Sequence, residues 1–175
     1  LANSALNFAV NRVIEILGIA ILLTSCLLLA SLITFSPDDP NFIFPKDTKI
    51  NNILGFQGSV TADIFFQSFG VIALLIPFSL MVSAINIIIN KKIFLIIKSI
   101  FYTIFYSLFG SLFFSFFYPL GFKLYINGNG GFIGKYLETT FFNSLIIINP
   151  QILYYILVLS ILIFFLISIQ FKINY

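Results

Sequence analysis

The sequence predicts an all-α membrane protein: a four-transmembrane-helix bundle with short interfacial amphipathic segments in the two extracytoplasmic loops. Three observations carry this. The 175 residues are 60% hydrophobic and 9% charged, where a soluble chain carries about 25% charge. Four apolar stretches are each long enough, at about 1.5 Å per helical residue, to cross a hydrocarbon core of roughly 30 Å. The charged residues fall between those stretches or toward their ends.

Residues 1–12 are expected to be a short polar lead on the cytoplasmic side. Arg12 stands at the membrane boundary, and Glu15 lies three residues on, within reach on one helix face. The first span is expected over 13–35, with no charge between Glu15 and Pro37. It breaks into Ser36-Pro37-Asp38-Asp39-Pro40-Asn41-Phe42. Ser36 can cap a single helical turn, Pro37 suits its first position, and Asp39 stands where a capping-box acid would. Pro40 stops the turn from growing. Asp38 and Asp39 could instead hold a cation, but no run of further ligands follows them, so the segment reads as a turn at the water interface. The polar loop 36–61, with Pro45, Lys46, Asp47 and Lys49, is expected to hold a short amphipathic turn near 50–56.

The second span is expected over 62–89, with Asp63 in its first turn, where the helix dipole favours a carboxylate. Pro77 should kink it at mid-span. Asn86, Asn90, Lys91 and Lys92 close it. The third span, 93–118, carries Lys98 near its start, able to snorkel to the interface. Along it Ser99, Thr103, Ser107, Ser111 and Ser115 recur every four residues beside Gly110. On a helix this is a ridge of small side chains that permits close helix approach in lipid. The other reading of the ridge is a hydroxyl-lined solute path. Residues 119–150 form the second loop region, with a flexible turn at 127–131, a short amphipathic helix at 132–138 and an apolar continuation too short to cross. The last span is expected over 152–171, and Lys172 marks its exit. The membrane domain is thus 13–172. Residues 173–175 read as the start of a cytoplasmic continuation, and a chain opening at Leu1 without Met reads as a piece of a longer protein.

Chemistry is sparsely provided for. The single Cys26 excludes a disulfide framework, and the absence of His removes the commonest general base and metal ligand. A phosphate loop fails at two positions: Gly134-Lys135 is followed by Tyr136, and Asn129 stands where Gly is needed. A dinucleotide fingerprint from Gly128 fails at Ile133. No catalytic, cofactor-binding or metal residue is therefore assigned. The net charge of +3 bears on orientation and not on nucleic-acid binding. Four spans place both ends on one side, with Arg12, Lys91, Lys92, Lys98 and Lys172, against Lys46, Lys49, Lys123 and Lys135 on the other. The tight cluster at 91–92 favours cytoplasmic termini.

Three stretches together resemble a known family. They are Glu15-Ile16-Leu17-Gly18 leading to the turn Ser36-Pro37-Asp38-Asp39-Pro40; Asn52-Ile53-Leu54-Gly55 through Asp63, Phe69-Gly70 and Leu75-Ile76-Pro77; and Gly130-Gly131-Phe132-Ile133-Gly134 with Leu137. The chain resembles the N-terminal four-helix membrane domain of FtsK/SpoIIIE-type DNA translocases. The resemblance implies a non-catalytic anchoring and septum-assembly domain in the bacterial inner membrane, part of the cell-division machinery (the divisome) that serves chromosome segregation. It implies contacts with lipid and with other division-septum membrane proteins, and homo-oligomerisation through the full-length protein. ATP and Mg would belong to a DNA motor outside this segment. The alternative is a small integral-membrane transporter or channel subunit, its path lined by the kinked second span and the hydroxyl-bearing third.

Overall fold

The structure, a computed structural model, describes residues 2–40, 49–120, 127–142 and 149–170. Expectations placed on Asn41, Phe42, Pro45, Lys46, Asp47, Lys123, residues 143–148 and Lys172 lie outside them. Among the described residues every regular element is helical, and four helical stretches are long and apolar enough to cross a membrane.

Helix α1 runs over Ala2–Ile33, so the expected polar lead is the first turns of this helix and not a separate segment. No Pro or Gly interrupts it before Gly18, and nothing in its composition would stop a helix there. Its 32 residues reach about 48 Å, well beyond the hydrocarbon thickness. Arg12 and Glu15, paired at 2.5 Å, mark where the charged end gives way to the apolar run.

The second stretch is two helices and not one kinked span. Helix α2 covers Gly55–Phe69, a 3₁₀ turn covers Gly70–Leu74, and α3 covers Leu75–Asn90. Helix α2 meets α1 near the latter's end: Ser31 Oγ donates to the Gly58 carbonyl at 2.6 Å, and the rings of Phe35 and Phe66 lie 5.0 Å apart. Helix α2 thus packs against the end of α1 and the residues just after it. The stretch antiparallel to α1 is α3. There Gly18 faces Ala84 and Ile88, and Lys91 pairs with Glu15. Asp63, expected in a first turn, is the ninth residue of α2. The expected mid-span kink at Pro77 lies instead at the 3₁₀ turn, and Pro77 occupies the first turn of α3, where its missing N–H has no intrahelical partner to lose.

Helix α4 covers Phe94–Phe117. Helix α5, Gly131–Leu137, runs on into a π turn over Glu138–Phe142. Helix α6, Pro150–Ser168, begins with Pro150 at its first position, and Asn149 Oδ1 accepts from the amides of Gln151 and Ile152 at 3.1 and 3.2 Å; both features favour a sharp start.

The bundle is open. Among the described residues α1 packs on α2 and α3, α3 on α4, and α4 on α6, while α1 touches neither α4 nor α6. Helix α5 lies against α2 and α4. Large apolar side chains face outward, Ile16 at 66% and Leu159 at 58% exposed, as expected where the surrounding solvent is lipid. What holds α4 to α6 is aromatic: Phe164 packs against Tyr102, Phe105 and Phe109, with centroids 6.0, 5.4 and 5.6 Å away. Tyr154 does the same against Phe113 and Phe117, at 5.2 and 5.1 Å. Beneath these rings runs a polar seam. Ser79 Oγ bonds the Tyr106 hydroxyl at 3.0 Å and Ser168 Oγ at 2.9 Å, tying α3, α4 and α6 at one level.

Where α1 and α3 meet there is no room for a side chain at position 18: a Cβ there would lie 2.6 Å from Ile88 Cγ1 and 3.3 Å from the Ala84 carbonyl oxygen. Gly18→Leu is expected to push the two helices apart and cost about 1–3 kcal/mol, read as a lowered thermal midpoint in detergent. Leu23→Ala, at an outward-facing position, should leave the midpoint nearly unchanged.

Candidate functional site: polar clamps at one end of the bundle

Of the residues singled out from sequence, Ser36 to Pro40, Asp63, Gly70, Ser111 and Ser115 lie toward the loop end, where α2 packs on α1 and α5 packs on α2 and α4; Pro77, Ser99, Thr103 and Ser107 lie elsewhere along α3 and α4. The first clamp starts from an unavoidable problem. Helix α1 ends with carbonyls that have no intrahelical donor, in a place with little water. The turn after it brings the donors. The Asp39 amide bonds back to the Ser36 carbonyl at 3.2 Å, and the Asp38 amide reaches Ser36 Oγ at 3.4 Å. The Asp39 side chain does not act as a capping-box acid. Because Pro40 turns the chain away from a helix, the carboxylate points forward and accepts the amides of Asn51 and Asn52, both at 2.8 Å. It is only 4% exposed, and both its oxygens are occupied by N–H groups.

Held this way, Asn52 delivers its side-chain amide to the Ser31 carbonyl at 2.9 Å and the Thr34 carbonyl at 3.4 Å. Thr34 Oγ1 accepts the Ile53 amide, and Ser59 Oγ donates to the Pro40 carbonyl at 3.0 Å. Pro37 and Asp38 remain exposed and Pro40 is buried.

The second clamp is built on the break between α2 and α3. Gly70 sits at φ 69°, ψ −147°, a conformation essentially restricted to glycine. The break opens two backbone groups. Ser111 Oγ donates to the Phe69 carbonyl at 2.9 Å, and the Val71 amide donates to the Asn129 carbonyl at 2.9 Å. Asn129, 1% exposed, donates from its side chain to the Tyr118 carbonyl at 2.7 Å. Gln67 links the same loop to α2, accepting from Asn127 Nδ2 at 3.3 Å and donating to Asp63 at 3.4 Å.

The ridge on α4 divides along its length. Ser99, Thr103, Ser107, Ser111 and Ser115 are all buried. Ser111 and Ser115 face α5, whose Gly134 comes so near that a Cβ would lie 2.2 Å from the Ser111 carbonyl oxygen. Ser115 Oγ donates to the Glu138 carboxylate. Gly110 faces Ile72, and Ser99 approaches the Ser79 carbonyl at 3.5 Å. At Ser99, Gly110, Ser111 and Ser115 the ridge is thus covered by α3, the 3₁₀ turn and α5, as helix packing requires, while the Thr103 and Ser107 hydroxyls are buried without a hydrogen-bond partner among the described residues.

Reasoning from sequence missed Asn52, Gln67, Asn129 and Glu138 as clamp members. The available signal was that each is a carboxamide or acid within a few residues of a span end or break. Among the described residues no group of three His, Cys, Asp or Glu converges.

A family model described as the 4TM region of DNA translocase FtsK/SpoIIIE matches residues 10–174. The chain belongs to the FtsK/SpoIIIE family. Two curated relatives agree with this. It is 31% identical over 85 residues to the DNA translocase FtsK of Agrobacterium fabrum (strain C58), a match covering 49% of this chain and 10% of that protein. It is 35% identical over 72 residues to the DNA translocase FtsK of Rhizobium meliloti (strain 1021), covering 39% of this chain and 8% of that one. The chain therefore spans about a tenth of the length of the FtsK proteins it matches. No solved structure matches it. With four apolar crossings and this membership, it is a multi-pass inner-membrane protein.

In this FtsK-family domain Asp39→Ala removes the acceptor for two amides, the buried one of Asn52 and the part-buried one of Asn51. It is expected to cost on the order of 3 kcal/mol and to open the 36–54 loop to protease from the loop side. Asp39→Asn, which keeps one acceptor oxygen, should show part of the effect. Equal cleavage of wild type and Asp39→Ala would contradict the clamp.

Proposed function

We propose that this chain is the membrane-anchoring and septum-assembly domain of a bacterial cell-division DNA translocase that serves chromosome segregation, and that it catalyses nothing itself. The observation that carries the reading is the family match over residues 10–174, which takes in all four crossings and both clamps. The polar groups in those clamps are spent on the chain's own backbone and side chains, which suits structural joints. ATP and Mg serve the motor of the full-length protein, and neither is used here. Partners are the bilayer, other septal membrane proteins and further copies brought together by the full-length protein. Nucleic acid is not bound by this segment.

Both termini are read as cytoplasmic. Lys91 reaches Glu15 on α1, and Gln170 reaches the Leu95 carbonyl, so the Glu15 level of α1 and the end of α6 lie on the side of the α3–α4 turn. Among the described residues that end carries Arg12, Lys91, Lys92 and Lys98, against Lys49 and Lys135 at the clamp end. Such an excess of Lys and Arg close to span ends favours the cytoplasm.

A fluorescent fusion of the 175 residues, expressed in dividing cells, is expected to concentrate at mid-cell, with reporters on both ends active in the cytoplasm. Even distribution around the envelope would refute septal recruitment. Reporters on opposite faces would refute the topology.

A further inference from the structure

Lys91 and Lys92 are adjacent, yet their surroundings differ: one is held in an ion pair and the other lines a pocket. Lys91 adopts a left-handed backbone at φ 56° as it ends α3, and its ammonium turns to Glu15 on α1 and to the Ile88 carbonyl at 2.7 Å. Lys92 instead lines a pocket of about 330 Å³ between the end of α3, the start of α4 and the end of α6, together with Asn86, Asn90, Leu95 and Gln170.

The lining is chemically one-sided. Lys92 is exposed and has no ion-pair partner among the described residues. The Asn86 carboxamide makes no hydrogen bond among them, its carbonyl on the main chain alone accepting from Asn90. Gln170 donates to the Leu95 carbonyl at 2.8 Å, which fixes it as a wall. Among the described residues no carboxylate lines the pocket, and Glu15 is held on α1 by Arg12 and Lys91.

One cation with the unbonded Asn86 carboxamide beside it, at the positive end of the α4 dipole, suits a monoanion that accepts hydrogen bonds, and phosphate oxygens do so. Ile89, Ile93, Phe94 and Ile97 are exposed beside it, an apolar surface on which acyl chains can lie. The depth is that of the headgroups, since the apolar runs of α3 and α4 end and begin here.

We propose that this pocket binds a phosphate monoanion at headgroup depth, presented by an anionic phospholipid. The inference goes beyond the anchoring role and does not depend on it. The chemistry alone would also accept free phosphate, and the test separates the two sources.

The whole chain is taken into detergent from bilayers of phosphatidylcholine with a minor share of phosphatidylglycerol, and retained lipid is counted by native mass spectrometry. Wild type is expected to keep phosphatidylglycerol over phosphatidylcholine. Lys92→Gln combined with Asn86→Leu should lower that retention about fivefold or more. Asn86→Asp, nearly the same in volume, should lower it similarly by placing a carboxylate in the pocket, with the thermal midpoint unchanged as a check on folding. Lys135→Gln, an equal loss of charge at the far end, should change nothing. Displacement of the lipid by millimolar inorganic phosphate would uphold the site and show that it also accepts the free anion. Retention unchanged in the Asn86 and Lys92 variants, or lowered as much by Lys135→Gln, would overturn the site.

Discussion

A chain that leaves its helices inside or at the edge of a bilayer must bring its own hydrogen-bond partners, because lipid supplies none. That constraint decides the form of this domain. At the end of α1, the break at Gly70 and the start of α6, a partner a few residues or a whole helix away meets the freed group. The end of α1 is met by Asn52, itself positioned by Asp39. The break at Gly70 is met by Ser111 and by the backbone of Asn129. The start of α6 is met by Asn149. These groups are few in number, but without them the loops would have to withdraw into water and the helices lengthen to follow.

Adhesion between the helices needs a different account. In lipid the transfer of apolar side chains from water no longer drives association, so contact area and close approach must supply it. The structure uses two solutions. Helices α1 and α3 approach through a glycine, and α4 and α5 through a serine ridge facing glycine, which brings backbones together. Helices α4 and α6 use broad rings, a sensible device where Phe occurs 24 times in the chain. The hydroxyls of Ser79, Tyr106 and Ser168 then fix the level at which α3, α4 and α6 meet. A hydrogen bond between side chains deep in the bundle selects one register among several that the rings alone would tolerate.

The four crossings were legible because length and apolarity are sufficient to specify a span, and the ridge on α4 because its period is that of a helix. The partition of the second stretch was not legible. Residues 55–90 read as a loop turn followed by one kinked span, since Pro77 is the familiar breaker and the run is apolar on both sides of Gly70. The break went to Gly70 because a docked loop, through the Asn129 carbonyl and Ser111, stabilises a backbone that only glycine adopts. A sequence window cannot contain that contact, which joins residues about 60 apart. Asp39 shows the same limit: its neighbours suggested a local cap, and the winning partners were amides twelve and thirteen residues on.

The two ends of the domain are consequently unlike. The clamp end is a layer in its own right, with α2 packed on α1, α5 packed on α4, and the two in contact. The other end is one short connection, between α3 and α4, and a set of basic side chains. An open row of helices can slide or splay unless something crosses it, and α1 and α6 never touch. The α2–α5 layer is the element that crosses, joining the α1 side of the row to the α4 side at the clamp end. The α3–α4 packing joins them within the membrane. Stiffness is therefore concentrated on the face away from the chain ends. The basic face is left to the lysines, whose charge favours the headgroup level.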